Sequence, residues 1–286
     1  PMLRSSGSPA RDRARNEILE IEARRQPRIE TGIDLLSKSS SDGTSTFRGR
    51  EIPVVAWMPI GYDGHAFIHV DQVDINAGSL PSRFYDASLF GKVDLTQNDL
   101  SQPVPQRASG TSVGVGYQGD VWRYDVGVIG MGFPVSNVVG GVQHQWSMDD
   151  VSYTLGVSRR PQVSSLVSYA GAIDPVSGQT WGGVTDNAVT ASMSTRLAEN
   201  YVFASVSYGL LRGKNTKDND RLTARAGIDR DLYRSKDLIV NSGVTLSHLQ
   251  YDNNQSFYTF GHGGYYSPQS STALSVPLQI NGRTER

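Results

Sequence analysis

Several common features are missing from this sequence, and each absence excludes a class of structure or partner. There is no cysteine, which excludes disulfide bonds and thiolate metal sites and fits an oxidising compartment. The formal net charge is only −1, so nothing favours a nucleic-acid partner. No apolar run approaches the roughly 18 residues of a membrane helix. A membrane β-barrel remains possible, because its strands carry apolar residues only at alternate positions.

A helix is predicted close to the start of the sequence. Residues 10–26 are charged, contain neither glycine nor proline, and include Ile18, Leu19 and Ile21. This pattern indicates a helix that stops before Pro27. We therefore interpret residues 1–27 as a linker and short helix, and we find no further segment with helical periodicity from Arg28 onward.

From Arg28 onward, apolar residues alternate with small polar ones, as they do in β-strands. In VSYTLGVS (151–158) every second residue is apolar and the others are Ser, Thr or Gly. The segments YVFASVSYGL (201–210) and RLTARAGID (221–229) show the same alternation. We count about twelve such strands, most of about 8–11 residues, which is the length that crosses a bilayer when tilted. The sequence thus predicts an all-β antiparallel fold over residues 28–286.

The two strand faces and the connections both favour a transmembrane β-barrel over a soluble all-β domain. The small, polar face suits a wet lumen and the apolar face suits lipid. Tight turns are predicted at 61–64, 118–120, 147–150, 198–200 and 233–237, and longer loops at 38–50, 76–109, 159–187, 211–220 and 251–271. Tight turns at one end and long loops at the other are typical of outer-membrane barrels, whose loops are extracellular.

Four stretches resemble a known family. DVGVIGMGFPVSNVVGGVQHQW (125–146), SRRPQVSSLVSYAGAIDPVSGQTWGGV (158–184), LLRGKNTKDNDRL (210–222) and FYTFGHGGYYSPQ (257–269) are similar to the C-terminal domain of cellulose synthase operon protein C. The resemblance implies an outer-membrane pore through which the nascent cellulose chain, a β-1,4-glucan, leaves the cell. It implies three partners: the glucan, outer-membrane lipid, and an inner-membrane cellulose synthase complex reached through upstream periplasmic tetratricopeptide repeats, to which the helix would connect.

The sequence departs from this family at its C-terminal end. The resemblance implies a barrel of sixteen strands, and outer-membrane proteins usually end on an aromatic residue within the last strand. This sequence ends in QINGRTER, which predicts a turn. About four strands are therefore expected to be missing. We expect the barrel domain, residues 28–286, to be truncated at its C-terminus rather than closed with fewer strands.

The alternation of side chains between the two faces of each strand indicates four aromatic candidates for glucan contact. Trp57 and Phe67 face the lumen if their apolar neighbours face lipid. Tyr201 and Phe203 share the small-residue face of their strand. An alternative for all four is a place in the aromatic girdles at the membrane boundaries.

Charged residues on the polar faces and aromatics in the loops are further candidates. A charge on the lipid face would cost about 2–4 kcal/mol at mid-membrane, so these charges are expected to face the lumen. They either line the glucan path or pair across the wall and stiffen it. The charged candidates are Arg123, Asp125, Arg196, Arg225 and Asp229, and the candidates for stacking on sugar from the loops are Tyr169, Trp181, Tyr265 and Tyr266.

The glycine-rich stretch YTFGHGGYYSPQSS (258–271) invites a catalytic interpretation, which its context does not favour. It lacks the lysine and the following helix of a phosphate-binding loop, and we predict a folded loop at the pore mouth. No nucleophile elbow, P-loop or dinucleotide fingerprint occurs. His65 and His69 would lie about 13 Å apart on a strand, too far to share a metal ion. We predict no enzyme, cofactor or metal site.

Two alternatives to a cellulose pore stay open at this point. One is an exporter of another exopolysaccharide. The other is a soluble all-β domain that binds or hydrolyses carbohydrate, because a glycosidase needs only two carboxylates at the right separation.

Overall fold

A computed structural model describes residues 26–61, 64–82, 89–93, 102–235 and 237–282 of the chain. The helix predicted over residues 10–26 lies outside these residues, except for Gln26. Among the residues described, no helix is long and apolar enough to cross a membrane.

Strands account for nearly all of the regular structure. They are β1 (Arg28–Thr31), β2 (Asp34–Lys38), β3 (Phe47–Ile60), β4 (Gly64–Leu80), β5 (Phe90–Gly91), β6 (Val104–Gly119), β7 (Trp122–Met131), β8 (Asn137–Met148), β9 (Val151–Pro161), β10 (Ala172–Ile173), β11 (Thr180–Leu197), β12 (Asn200–Lys214), β13 (Asn219–Arg234), β14 (Leu238–Tyr251), β15 (Tyr258–Thr259), β16 (Ser271–Ser275) and β17 (Leu278–Gly282). A short helix, α1 (Leu166–Ala170), follows β9.

Helix α1 was not predicted from the sequence. Ser165 caps it: its hydroxyl accepts from the backbone N–H of Ser168, and the Ser168 hydroxyl accepts from the backbone N–H of Ser165. Five residues complete fewer than two helical turns, so periodicity could not reveal the helix. The paired serines were the available signal.

The long strands form one antiparallel sheet that follows the order of the chain. Its order is β1–β3–β4–β6–β7–β8–β9–β11–β12–β13–β14–β16. β2 continues β1 in the same register on β3, and β17 continues β16 in the same register on β14, so each pair acts as one interrupted strand. Pro277, which has no N–H for the ladder, lies in the second interruption. Among the described residues the sheet therefore has twelve strand positions, which confirms the predicted number.

Tight turns and long connections lie at opposite ends of the sheet. The turns are 61–63, 120–121, 149–150, 198–199 and 235–237, as predicted. The long connections are 39–46, 81–103, 162–179 and 252–270. The loops predicted over 38–50, 76–109, 159–187 and 211–220 are wrong in extent, because the strands continue into them. The largest difference in proportion is at 211–220, where β12 and β13 leave only 215–218 between them.

The two faces of the sheet differ in the way that the alternation predicts. One face, the outer face, exposes a belt of large apolar side chains: Val54, Met58, Ile68, Val70, Val115, Val126, Val138, Val142, Leu155, Val157, Val189, Val206, Ile228, Val244 and Leu246. The other, the inner face, carries mainly Gly, Ser, Thr and charged residues in the matching register. An apolar surface of this extent would be unfavourable in water and suits a lipid environment.

Contacts between distant loops show that the sheet curls towards its inner face. β5, in the connection after β4, pairs with β15, in the connection after β14. Seven strand spacings separate β6 from β14, which is about 34 Å in a flat sheet. Curling brings the two connections together, as in the wall of a barrel.

Candidate functional site

An aromatic ladder runs along the inner face of β3 and β4. Trp57 and Phe67 are backbone partners, and their ring centroids lie 5.0 Å apart. His69, two residues further along β4, has its ring centroid 6.2 Å from that of Phe67. Gly116 and Gly114 of β6 lie beneath the rings, and a Cβ at these positions would come within 2.5 Å of Phe67 and 2.1 Å of His69. Glycine on β6 thus makes room for the rings to lie against the wall.

A second aromatic group lies on the inner face of β12. The ring centroids of Tyr201 and Phe203 are 6.2 Å apart, and the guanidinium of Arg225 lies 5.4 Å from the Phe203 ring centroid. Asp229 of β13 is the backbone partner of Tyr201. The aromatic faces and hydrogen-bonding groups on this part of the wall are therefore side by side.

Charged residues of the inner face pair across neighbouring or nearby strands. Arg160 donates two hydrogen bonds to Asp125, of 2.5 and 2.6 Å, and thereby ties β9 to β7 across β8. Arg221 of β13 lies 2.8 Å from Asp186 of β11 in the same way, across β12. Bidentate arginine–carboxylate pairs fix geometry as well as charge. These pairs tie together strands that are not direct neighbours and thereby stiffen the wall.

Described residues of three long connections fold inward at one end of the sheet and share a hydrophobic core, which we call the mouth cluster. Trp181 is its fully buried centre, with ring centroids 5.0 Å from Phe90 and 5.6 Å from Phe260. The core packs on inner-face residues of β3, β4 and β6. Its buried members are Phe47, Val73, Ile75, Ala77, Leu80, Phe90, Ala108, Phe133, Leu166, Val167, Ala170, Ala172 and Trp181, and Val104, Tyr169, Tyr258 and Phe260 pack against them.

Hydrogen bonds join the connections of the mouth cluster to one another. Asp174 accepts the backbone N–H of Lys92 at 2.9 Å, which links the connection after β9 to that after β4. Burial raises the pKa of the Asp174 carboxyl. The hydrogen bonds that it accepts from the Lys92 N–H and from the N–H and hydroxyl of Ser177 outweigh this effect and hold the pKa below its usual value. The mouth cluster is therefore one folded unit across the lumen, at the long-connection end.

Burial perturbs the tyrosines of this unit. Burial, reinforced by the nearby carboxylates Glu51 and Asp71, raises the pKa of Tyr169 to about 12. Burial also raises the pKa values of Tyr258 and Tyr265.

The glycine-rich stretch belongs to the same end of the wall and is compact, as predicted. Gln255 accepts the backbone N–H of Gly263 through its side chain at 2.9 Å and that of Tyr265 through its carbonyl at 3.1 Å. Asn219 donates to the Tyr265 hydroxyl at 3.1 Å. Gly264 has φ = +67°, a conformation in which a side chain is strained.

Comparison with known proteins identifies the family. A family model described as cellulose synthase operon protein C C-terminus matches residues 45–286 of the chain. The chain belongs to this family. It is 35% identical over 260 residues to cellulose synthase operon protein C of Escherichia coli (strain K12), over 88% of this chain and 22% of that protein. It is 30% identical over 304 residues to cellulose synthase 1 operon protein C of Komagataeibacter xylinus, over 91% of this chain and 23% of that protein.

The chain spans less than a quarter of the length of these cellulose synthase operon C proteins. Among solved structures, it is similar to OmpT, an outer membrane protein of Vibrio cholerae, with a TM-score of 0.39 and 10% identity over 91% of this chain and 85% of that one. The assignment of the fold rests on the apolar belt, the polar inner face and the curl of the sheet. These features identify the domain as the wall of a transmembrane β-barrel of the outer membrane, as predicted.

The predicted wall residues of this cellulose synthase operon C domain lie on the face that the alternation along each strand indicated. Trp57, Phe67, Tyr201 and Phe203 all lie on the inner face. The charged residues Arg123, Asp125, Arg196, Arg225 and Asp229 share that face. Of the four aromatics that were predicted to stack on sugar from the loops, Tyr266 is the exposed one, at 67%.

The structure corrects two of the proposed stacking residues. Trp181 is completely buried and Tyr265 is 2% exposed, so neither ring has a face open to a sugar. Both pack in hydrophobic clusters because an aromatic ring contributes more to a small core than any other side chain. Tyr169 is half-buried against Phe133, at 5.5 Å between ring centroids.

Several inner-face residues escaped the sequence analysis. Arg160 and Asp186 fell within the predicted loop 159–187, although β9 and β11 extend through both positions. Glu51, His69 and Asp71 were not assigned to the inner face, although they lie in predicted strands. Each is an even number of positions from Trp57 or Phe67 on its strand, which was sufficient to indicate the same face. Arg160 and Asp186 were missed because β9 and β11 are longer than the bilayer-crossing length of about 8–11 residues that was used to predict where the strands end.

Proposed function

We propose that this domain forms part of an outer-membrane pore through which a β-1,4-glucan, cellulose, passes from the periplasm to the cell exterior. The observation that carries the proposal is the inner face of the wall, where aromatic rings alternate with small and hydrogen-bonding residues in a chain of the cellulose synthase operon C family. Pyranose rings present apolar faces and equatorial hydroxyls, and both find partners on such a wall.

The ladder of Trp57, Phe67 and His69 provides a sliding contact for the glucan. Its rings span a length comparable to two linked sugars. The indole N–H of Trp57 donates to Glu30 at 3.1 Å, and the Arg28 guanidinium lies 5.0 Å from the Trp57 ring centroid, so this ring is held from two sides. Each contact is weak and replaceable, which lets a polymer advance without stalling at any one position.

The mouth cluster lies across the route at the long-connection end. Its core includes side chains of three connections, which pack on inner-face residues of β3, β4 and β6 and on Trp181 of β11. Connections open at lower free energy than paired strands. In this proposal the mouth cluster moves aside when a glucan arrives, while the wall keeps its register.

We propose further that the domain is not an enzyme. The inner-face carboxylates Asp125 and Asp186 are each held by an arginine, Arg160 and Arg221 respectively, and these ion pairs account for them as structural groups of the wall. The push for export then comes from synthesis at the inner membrane. The partners in this proposal are the glucan, outer-membrane lipid, and an inner-membrane cellulose synthase complex contacted through periplasmic repeats upstream of the domain.

The test is export by cells that carry variants of the full-length protein. Phe67→Ala, alone and with Trp57→Ala, removes stacking worth about 1 kcal/mol per ring. We expect several-fold less extracellular cellulose, measured by dye binding and by release of cellobiose with a β-1,4-glucanase. Ile68→Ala is the matched control, because Ile68 follows Phe67 on β4 but faces outward.

Three results would contradict the proposal in different ways. Unchanged export by the double variant would show that the ladder is not part of the glucan route. An exported polymer that resists the glucanase, and that disappears with the gene, would identify another polysaccharide. Release of reducing ends from cello-oligosaccharides by the purified protein would show a hydrolase.

A further inference from the structure

The outer face of β3, β4 and β6 changes character at the long-connection end. Arg48, Asn76 and Arg107 are partners in one row across the three strands. Arg50, Asp74 and Ser109 form the next row towards the middle of the wall. Ile52, Gln72 and Thr111 form a third row, and below it the same face is apolar, beginning with Val54, Val70 and Val113. A basic edge thus borders the lipid-facing belt.

Only one of the three arginines is neutralised. Arg50 donates to Asp74 at 2.6 Å, and Ser109 donates to the other oxygen of Asp74 at 2.7 Å. Within the described part of the chain, Arg48 and Arg107 have neither an ion pair nor a side-chain hydrogen bond. Two guanidinium groups in one row therefore present ten hydrogen-bond donors outward without a protein acceptor.

A groove on the outer face connects these arginines to an apolar side chain. It has a volume of about 650 Å³ and is lined by Arg48, Arg50 and Arg107 together with Leu35 of β2. Leu35 is 76% exposed and is the backbone partner of Arg50. A cationic row beside an exposed leucine fits an amphiphile with an anionic headgroup better than it fits a free ion.

The position of the row matches one boundary of the membrane. Outward-facing Tyr117, at the tight-turn end of β6, stacks on Tyr124 at 5.3 Å, and Trp122, His144, Trp146 and Tyr153 continue this aromatic girdle. Arg107 and Tyr117 lie on the same strand and face. The ten-residue separation corresponds to roughly 34 Å along the strand, or about 26 Å along the membrane normal at the usual tilt. An apolar band of a barrel is about 25 Å tall.

We propose that this groove binds the phosphorylated headgroup of an outer-leaflet glycolipid. Arg48 and Arg107 bind phosphate oxygens, for which the planar guanidinium is suited, and Leu35 contacts the first part of an acyl chain. Asp42, the other carboxylate near this edge, lies against Gly78 and forms no ion pair among the described residues, so it does not cancel the row. The site goes beyond glucan export and rests only on the membrane position of the wall.

The test uses the full-length protein, purified from outer membranes in detergent, and bisphosphorylated lipid A as the probe. Native mass spectrometry measures retained and titrated lipid. We expect Arg48→Gln and Arg107→Gln each to weaken binding about fivefold, and the pair about 25-fold, in line with the usual contribution of one basic residue at a membrane surface. Arg107→Lys should lose less than Arg107→Gln because it keeps the charge.

Arg212→Gln is the matched control. Arg212 is also an arginine at the long-connection end, on β12, but it is ion-paired with Asp218 and Asp220, and its loss should leave lipid binding unchanged. Heat-modifiable migration on gels checks that each variant folds. Inorganic phosphate at matched concentration distinguishes a lipid from a free anion.

The outcomes separate cleanly. Binding that falls in the double variant, persists in Arg212→Gln, and is lost with dephosphorylated lipid A supports the proposal. Equal binding by the double variant and the parent overturns it. Competition by inorganic phosphate at the same concentration as lipid A also overturns it, because the site would then recognise free phosphate. None of these results depends on whether a glucan passes through the lumen.

Discussion

Replacing Trp181 by alanine should loosen the mouth cluster while leaving the wall intact. Trp181 is fully buried, with Phe90 and Phe260 against its ring, and a tryptophan of this kind contributes about 3–5 kcal/mol relative to alanine. Phe90 and Phe260, which contact the Trp181 ring, lie in connections rather than in the sheet ladder, so the loss is expected to fall on opening of these connections rather than on unfolding of the sheet. Because each 1.4 kcal/mol is a factor of about ten, the open population should rise by roughly two to three and a half orders of magnitude.

Two measurements on the purified full-length protein test this expectation. Single-channel conductance in planar bilayers should rise or become noisy, and limited proteolysis should cut within 162–179 and 252–270. Heat-modifiable migration should stay as in the parent, because the strand ladders are untouched. Tyr266→Ala is the control: its side chain is 67% exposed near the same connections, and its loss removes little packing.

The reasoning would be refuted if Trp181→Ala conducted and resisted protease like the parent. The core would then not hold the connections in place. A variant that lost heat-modifiability would contradict it differently, by showing that the mouth cluster stabilises the sheet as a whole.

Two further predictions concern the same end of the wall. Tyr169, whose pKa is raised to about 12 from the ordinary 10.0, stabilises the folded cluster below pH 10 and loses that contribution as the pH rises from about 10 to 12. Tyrosinate absorbance and protease sensitivity should therefore increase together in that window, and the Tyr169→Phe variant should shift the opening to higher pH; cluster opening at the parent's pH in this variant would contradict the assignment. Gly264→Val forces a side chain into φ = +67° and should loosen residues 258–270 at a cost of about 1 kcal/mol or more, seen as altered conductance with unchanged heat-modifiability. Unaltered conductance would show that this stretch does not limit the pore.

The alternation of apolar and polar residues was sufficient to predict which side chains of the wall face lipid and which face the lumen. A strand buried in lipid on one side and facing a lumen on the other has to repeat with a period of two, so the faces of β9, β12 and β13 could be read directly from residues 151–158, 201–210 and 221–229. The same rule placed Trp57, Phe67, Arg225 and Asp229 on the inner face. The ends of the strands were less accessible, because β11 and β13 extend beyond the membrane, where neither lipid nor lumen requires alternation.

The mouth cluster and the ion pairs depended on contacts that no local pattern contains. Whether Trp181 is buried or open to a sugar is decided by Phe90 and Phe260, which lie about ninety and eighty residues away in the chain. Arg160 meets Asp125 only because β8 lies between their strands in register. By itself the sequence determined the class of fold, the number of strands and the face of each wall residue, since these follow from the period of two. Only the tertiary structure decided which loop aromatics form a core and which charges pair, because the curl of the sheet brings those residues together.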